Sequence, residues 1–169
     1  MARSPQIRPG ALYFFYGTLL DADVRRLVFG PDERHLALEP ARLCGYRRMA
    51  KGNSTAPVLV PRPGASVEGL LVRGLDRRQM ARLRHYEGRN YREVPCAVRH
   101  ADRMSVRALV FLAARRVPPA RAPWRLDAWQ RRAKRAYLKL AALWLAAYRP
   151  AGYETRGRTR WIKRWAARD

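Results

Sequence analysis

The hydrophobic and polar positions along the chain divide it into short extended segments and a few helical ones. Residues 11–16 are apolar and aromatic without a break, which predicts a buried strand. Helical spacing follows, with Val24, Leu27 and Val28 on one face, Asp21 as N-cap and Gly30 as the stop. Residues 31–40 read as a loop, 41–49 as a short strand with Leu43 and Tyr46, and 51–55 as a polar turn. Val58, Leu59 and Val60 sit between Pro57 and Pro61, so they read as a short extended piece at a sheet edge. Pro63–Gly64 reads as a turn, and 66–73 as a strand in which Gly69 marks a bulge or a close approach. A second helix is predicted over 76–86, with Asp76 as N-cap and Gly88 as the stop. Residues 91–99 alternate, with Val94, Cys96 and Val98 on one face and Pro95 pointing to an edge or a bulge. The apolar run within 103–113 predicts a strand buried on both faces.

After a proline-rich connection, 124–148 reads as one long helix. Its stripe is Trp129, Ala133, Tyr137, Leu140, Trp144 and Tyr148, a packing face, and Pro150 and Gly152 end it. Several strands with few, late helices predict an α+β fold rather than a regular βαβ sheet. The expected organisation is one domain over 11–150 and a basic tail over 151–169. Trp161 and Trp165 in that tail could dock on the domain, meet another subunit or touch an anionic surface.

Composition narrows the classes. With 169 residues, 48% of them hydrophobic, the chain can bury a real core. No apolar run approaches the ~20 residues of a membrane helix. The basic N-terminus does not read as a secretory signal, so a cytoplasmic protein with no membrane partner is expected. Cys44 and Cys96 offer neither a disulfide framework nor metal spacing, and His35, His85 and His100 are scattered. No metal and no cofactor is expected. Lys+Arg is 36 against Asp+Glu 13, a net charge of +23. Lysine appears only at Lys51, Lys134, Lys139 and Lys163, and no nucleic-acid-binding motif accompanies the arginines. Nonspecific surface charge fits this better than a dedicated nucleic-acid site.

Two places carry candidate chemistry. Tyr16-Gly17-Thr18-Leu19 joins the first strand to the first helix, where a glycine and free N–H groups can seat an anion. The same pattern also fits an ordinary strand–turn–helix junction. Glu87 falls on the Met80 and Leu83 face of the second helix, where an apolar side chain would be expected, and at the negative end of the helix dipole. Burial and dipole both raise a carboxyl pKa, which suits a general base near neutral pH. An early fraying of the helix would instead leave Glu87 exposed.

The aromatic strand ending in Tyr16-Gly17-Thr18-Leu19 resembles the opening motif of the gamma-glutamylcyclotransferase-like superfamily. Leu83-Arg84-His85-Tyr86-Glu87-Gly88, followed by Asn90-Tyr91-Arg92, resembles the family segment Leu-Asp-x-x-Glu-Gly…Tyr-x-Arg. The two motifs stand in the family's order, and the likeness spans residues 11 to 113. It implies a small mixed barrel-like sheet with surrounding helices, and a catalytic role for Glu87. It also implies substrate binding through Tyr16, Gly17, Thr18, Leu19 and Tyr91, and a small γ-glutamyl substrate that releases 5-oxoproline. The chain departs from the pattern at Arg84, where the family has aspartate, and at Glu93, where a basic residue is common. A non-catalytic binding module on the same fold is the alternative these departures keep open.

Overall fold

The computed structural model describes residues 10–52, 54–100, 104–114 and 122–149. The basic N-terminus, the 151–169 tail with Trp161 and Trp165, and most of the proline-rich connection lie outside them. Five strands close into a barrel in the order β1 (Tyr13–Phe15), β3 (Ser54–Arg73), β2 (Ala37–Lys51), β4 (Tyr91–His100), β5 (Ser105–Ala113). β5 returns to β1 as a parallel pair, Tyr13 with Leu109 and Phe14 with Val110, while β1 runs antiparallel to β3. β4 pairs with β5 along its length but meets β2 only at Ala41–His100 and Arg42–Arg99. That seam is therefore laddered at one end. At the other end, Lys51 finishes β2 and Tyr91 begins β4 with no ladder between them.

β1 explains the two cores. Its side chains alternate across the pleat. Phe14, with Tyr16 just after the strand, fills the barrel interior together with Leu43, Leu59, Val67, Leu71, Val98 and Val110. Tyr13 and Phe15 face outward into a layer closed by the helices, with Val24, Val28, Met80, Leu83, Trp129 and Leu145. Both faces of β1 are buried, so the unbroken apolar run of the sequence is what the position demands.

The helices in that layer are α1 (Ala22–Phe29), α2 (Arg77–Glu87), α3 (Leu126–Arg132) and α4 (Lys134–Ala146). Asp21 caps α1 by accepting from the N–H groups of Asp23 and Val24. Asp76 caps α2 through a reciprocal pair with Gln79, and Gly88 ends it at φ 66°. Among the described residues no helix is long and apolar enough to cross a membrane.

Three expectations are corrected. Residues 31–40 are not a loop: Pro31–His35 form a 3₁₀ turn, and β2 has already begun at Ala37. The extended piece at 58–60, the turn at 63–64 and the strand at 66–73 are one strand of 20 residues. Its first half pairs with β2 alone, so Pro57, Pro61 and Pro63 forfeit no bond on the unpaired side. Gly64 sits within it at φ 79° without ending it. The long helix over 124–148 is two helices broken at Ala133, which has φ −121° and ψ −24°. Trp124 precedes both and is tied to the hairpin, its backbone N–H donating to Arg48 O and its Nε1 to Thr55 O. Gly69 answers to a close approach: a Cβ there would lie 2.2 Å from Phe15 O and 2.6 Å from Phe14 Cζ.

Candidate active site around Glu87

The turn after β1 is a single 3₁₀ turn over Thr18–Leu20. Leu20 N–H donates to Gly17 O and Asp21 N–H to Thr18 O, both at 3.0 Å. The first N–H groups of such a turn have no acceptor within it. Gly17 has φ −116°, so left-handed backbone is not the reason for glycine here. Space is the reason, because a Cβ would lie 3.0 Å from Pro57 Cγ and 3.3 Å from Pro57 Cδ. The Leu19 side chain is buried in the helix–barrel core, so only its backbone can face a ligand.

Glu87 ends α2 as the helical phase predicts, a turn beyond buried Met80 and Leu83. The residue is half-buried, and solvent still reaches its carboxylate oxygens. Burial pushes that carboxyl up to about 8, and the positive charge of Lys51 opposes the rise. Among the described residues no other charge bears on it and none hydrogen-bonds it. Four tyrosines feel its charge: Tyr16, Tyr86, Tyr91 and Tyr137. Burial raises all four phenols, so each stays a neutral hydroxyl.

These tyrosines tie Glu87 to the turn. Tyr86 OH lies 2.7 Å from Thr18 Oγ1, Tyr137 OH lies 3.3 Å from it, and the two phenols bond each other. Tyr91 OH donates to Pro57 O at 3.0 Å, and Pro57 is the residue against Gly17. Tyr16 OH donates to Phe111 O across the barrel, and Tyr16 O accepts from Arg48 Nη1 at 2.8 Å. The elements carrying Tyr16, Gly17, Thr18, Tyr91 and Glu87 are thus knitted into one cluster, to which Leu19 adds backbone only. Lys51, Pro57, Tyr86 and Tyr137 join it without having been singled out in the sequence. Tyr86 stands inside the quoted motif, whereas Tyr137 reads as one more member of the α4 packing stripe. His85 turns away from Glu87 and stacks on Trp144, with ring centroids 4.6 Å apart.

The two departures from the family pattern meet each other. Arg84 Nε lies 3.0 Å from Glu93 Oε1, and the same oxygen accepts from Tyr13 OH at 2.7 Å. Both departures from the resembled pattern thus belong to one ion pair, complete within this chain. Arg84 spends its charge on Glu93, and among the described residues Lys51 is the charge that acts on Glu87.

Comparison with known proteins agrees with this architecture. An Arabidopsis thaliana protein solved in solution is 21% identical, covering 82% of this chain and 92% of its own, with a TM-score of 0.60. A human protein solved by crystallography is 18% identical over 93% and 99% of the two chains, with a TM-score of 0.55. A protein named gamma-glutamyl cyclotransferase is 16% identical over 92% and 99%, with a TM-score of 0.52. At these identities the likeness is one of fold. Comparison with curated proteins yields no match. The family model for gamma-glutamyl cyclotransferase, AIG2-like, matches residues 13–131, from β1 into α3. The chain therefore belongs to the AIG2-like gamma-glutamyl cyclotransferase family.

Proposed function

We propose that this protein releases 5-oxoproline from a γ-glutamyl amide, with Glu87 as general base and then general acid. The observation that carries the reading is a half-buried carboxyl group with no hydrogen-bond partner among the described residues, pushed up to about 8 by burial and set among neutral tyrosines. A carboxyl raised in this way is a stronger base toward the substrate's α-ammonium proton than an ordinary glutamate.

The Glu87 carboxylate takes a proton from the substrate's α-ammonium group. The freed amine attacks the γ-carbonyl carbon of its own glutamyl unit, and the new C–N bond closes a five-membered ring. Glu87 hands that proton to the departing nitrogen and takes a second one from the ring nitrogen, which the new bond has left with two. Collapse of the tetrahedral intermediate breaks the original amide C–N bond, and the second proton passes to the freed amine as its ammonium, so atoms and protons balance without water. Nucleophile and electrophile share one molecule, so folding the substrate back on itself supplies much of the rate. The N–H groups at Gly17, Thr18 and Leu19 would hold the glutamyl carboxylate or the developing oxyanion. Tyr16 and Tyr91 would line the walls.

The test is a screen of γ-glutamyl compounds for 5-oxoproline release by the full chain, with Glu87→Gln alongside. Release by the parent and none by the variant is expected. Binding without turnover in the parent would make the protein a binding module on this fold.

A further inference from the structure

Resting on that reading of the Glu87 site, we infer that Arg48 on β2 is a positioning residue for it. Its guanidinium aims and polarises the Tyr16–Gly17 peptide, so that Gly17 N–H meets the negative charge of the substrate as a stronger donor.

The contact lies where two strands part. The ladder between β1 and β3 ends at the pair Phe15 and Leu70. One residue further on, Tyr16 O accepts from Arg48 Nη1 at 2.8 Å, and the same nitrogen lies 3.4 Å from Glu68 O. Arg48 thus bridges the two strands where their own pairing has stopped. No peptide bond among the described residues is cis. A trans peptide directs its C=O and its N–H to opposite sides. With Tyr16 O turned to Arg48, Gly17 N–H is turned away from it. A cation on the carbonyl draws electron density out of the amide, and hydrogen bonds linked through one polar group strengthen each other. The guanidinium acts in this way without touching the substrate.

Trp124 holds the guanidinium in place. Arg48 O accepts from Trp124 N–H at 3.3 Å, and Arg48 Cζ lies 5.2 Å from the centre of the Trp124 ring. Trp124 is itself buried, and its Nε1 donates to Thr55 O at 2.8 Å. Arg48 is partly buried. Burial holds it below the ordinary arginine value and the Glu68 carboxylate opposes that shift, while an arginine keeps its charge throughout. A neutral donor would satisfy the same carbonyl at a lower desolvation cost. The charge is therefore the part that packing alone does not require.

The test uses two variants of the full chain. Arg48→Met keeps the stem against Trp124 and removes donor and charge, whereas Arg48→Lys keeps the charge. The first measurement needs no ligand: the NMR signals of the Tyr16 carbonyl carbon and the Gly17 amide. Both should move upfield in Arg48→Met, with Arg48→Lys between it and the parent. Signals that stay in place in a folded Arg48→Met overturn the inference. The second measurement is functional. With γ-glutamylethylamide, kcat/KM should fall about tenfold in Arg48→Met and recover in part in Arg48→Lys. Where Gly17 N–H holds the glutamyl carboxylate, the fall is in KM. Calorimetry on Glu87→Gln then shows it for this compound and not for its α-carboxamide. Where Gly17 N–H holds the oxyanion, the fall is in kcat alone. A loss that only follows the melting temperature, or equal weakening of carboxylate and carboxamide with kcat unchanged, makes Arg48 a packing residue and overturns the inference. If the parent releases no 5-oxoproline, the cyclotransfer reading fails, and the Gly17 signals with the calorimetric comparison still decide the role of Arg48.

Discussion

Glu93 and Glu87 sit on either side of the junction between α2 and β4, each beside tyrosines, and only Glu93 has a cation bonded to it. Arg84 and Tyr13 both reach Glu93 Oε1, so one carboxylate oxygen holds helix, strand and core tyrosine together. Glu87 is half-buried without such a partner among the described residues, and its carboxyl is pushed up to about 8. Two carboxylates so close in sequence thus differ in their partners. A paired carboxylate fastens structure, and a partly buried unpaired one retains affinity for a proton.

Exchanging glutamate for glutamine at each position tests the contrast most severely. Glu87→Gln should cut 5-oxoproline release by about 10³-fold. The parent's kcat/KM should rise with pH through about 8, as the free carboxyl ionises. Stability should move the other way. Glu87 titrates at about 8 when folded and near 4.5 when unfolded. Between those values the folded state binds more protons, so stability is full below about 4.5 and falls until pH passes about 8. Glu87→Gln removes that slope. Its melting temperature should gain on the parent's steadily across the window, with the gap levelling above pH 8. A parallel pair of melting curves would show that Glu87 is not perturbed. Glu93→Gln should instead lower the melting temperature by breaking the Arg84 and Tyr13 contacts, with activity falling only as far as the fold loosens.

Gly17→Val is next in size. A Cβ at position 17 meets the Pro57 ring at 3.0 Å, and a branched side chain adds atoms toward the ligand. Because φ is −116°, no backbone strain is added, so Gly17→Ala should cost only the shift of Pro57. Melting temperature and affinity for a γ-glutamyl compound should be measured together. Lost affinity with an unchanged melting point marks a blocked site. Lost stability with full activity at permissive temperature marks a purely structural turn.

The exchanged ion pair gives a smaller and more specific effect. Arg84→Glu places two carboxylates together and should cost about 1–3 kcal/mol by denaturant melting. Adding Glu93→Arg restores opposite charges, and Tyr13 OH can accept from the new guanidinium. Recovery of most of the lost stability in the double variant is expected. Additive losses would mean that the contact in the native protein contributes nothing.

Much of this arrangement could be read from residue patterns, and the exceptions have physical causes. β1, α1 and α2 carry their own signals: an unbroken apolar run, aspartate caps and glycine stops. The β2–β3 hairpin does not, because Pro57, Pro61 and Pro63 look like breakers until one side of β3 is known to lack a partner. The break at Ala133 leaves no trace either, since the apolar stripe from Trp129 to Trp144 runs through it. At the candidate site, Glu87 is legible because a charge interrupts a helical face. Lys51 and Tyr137 are not, because only barrel closure and α4 docking bring them beside it.

The smallest effect belongs to Thr18, whose hydroxyl joins two phenols near Glu87. Thr18→Ser keeps both the hydroxyl and the backbone N–H, so activity and melting temperature should stay close to the parent's. Thr18→Val keeps the shape and deletes the hydroxyl. Tyr86 and Tyr137 would still bond each other, so only the link from the turn to that pair is lost. A stability cost of about 1 kcal/mol is expected. If the link positions the turn for substrate, KM should rise in Thr18→Val while the pH dependence set by Glu87 is unchanged. An unchanged KM with the same loss of stability would restrict the hydroxyl to packing the turn against α2 and α4. A shift of the acid limb would instead show that the hydroxyl trio reaches the Glu87 carboxyl itself.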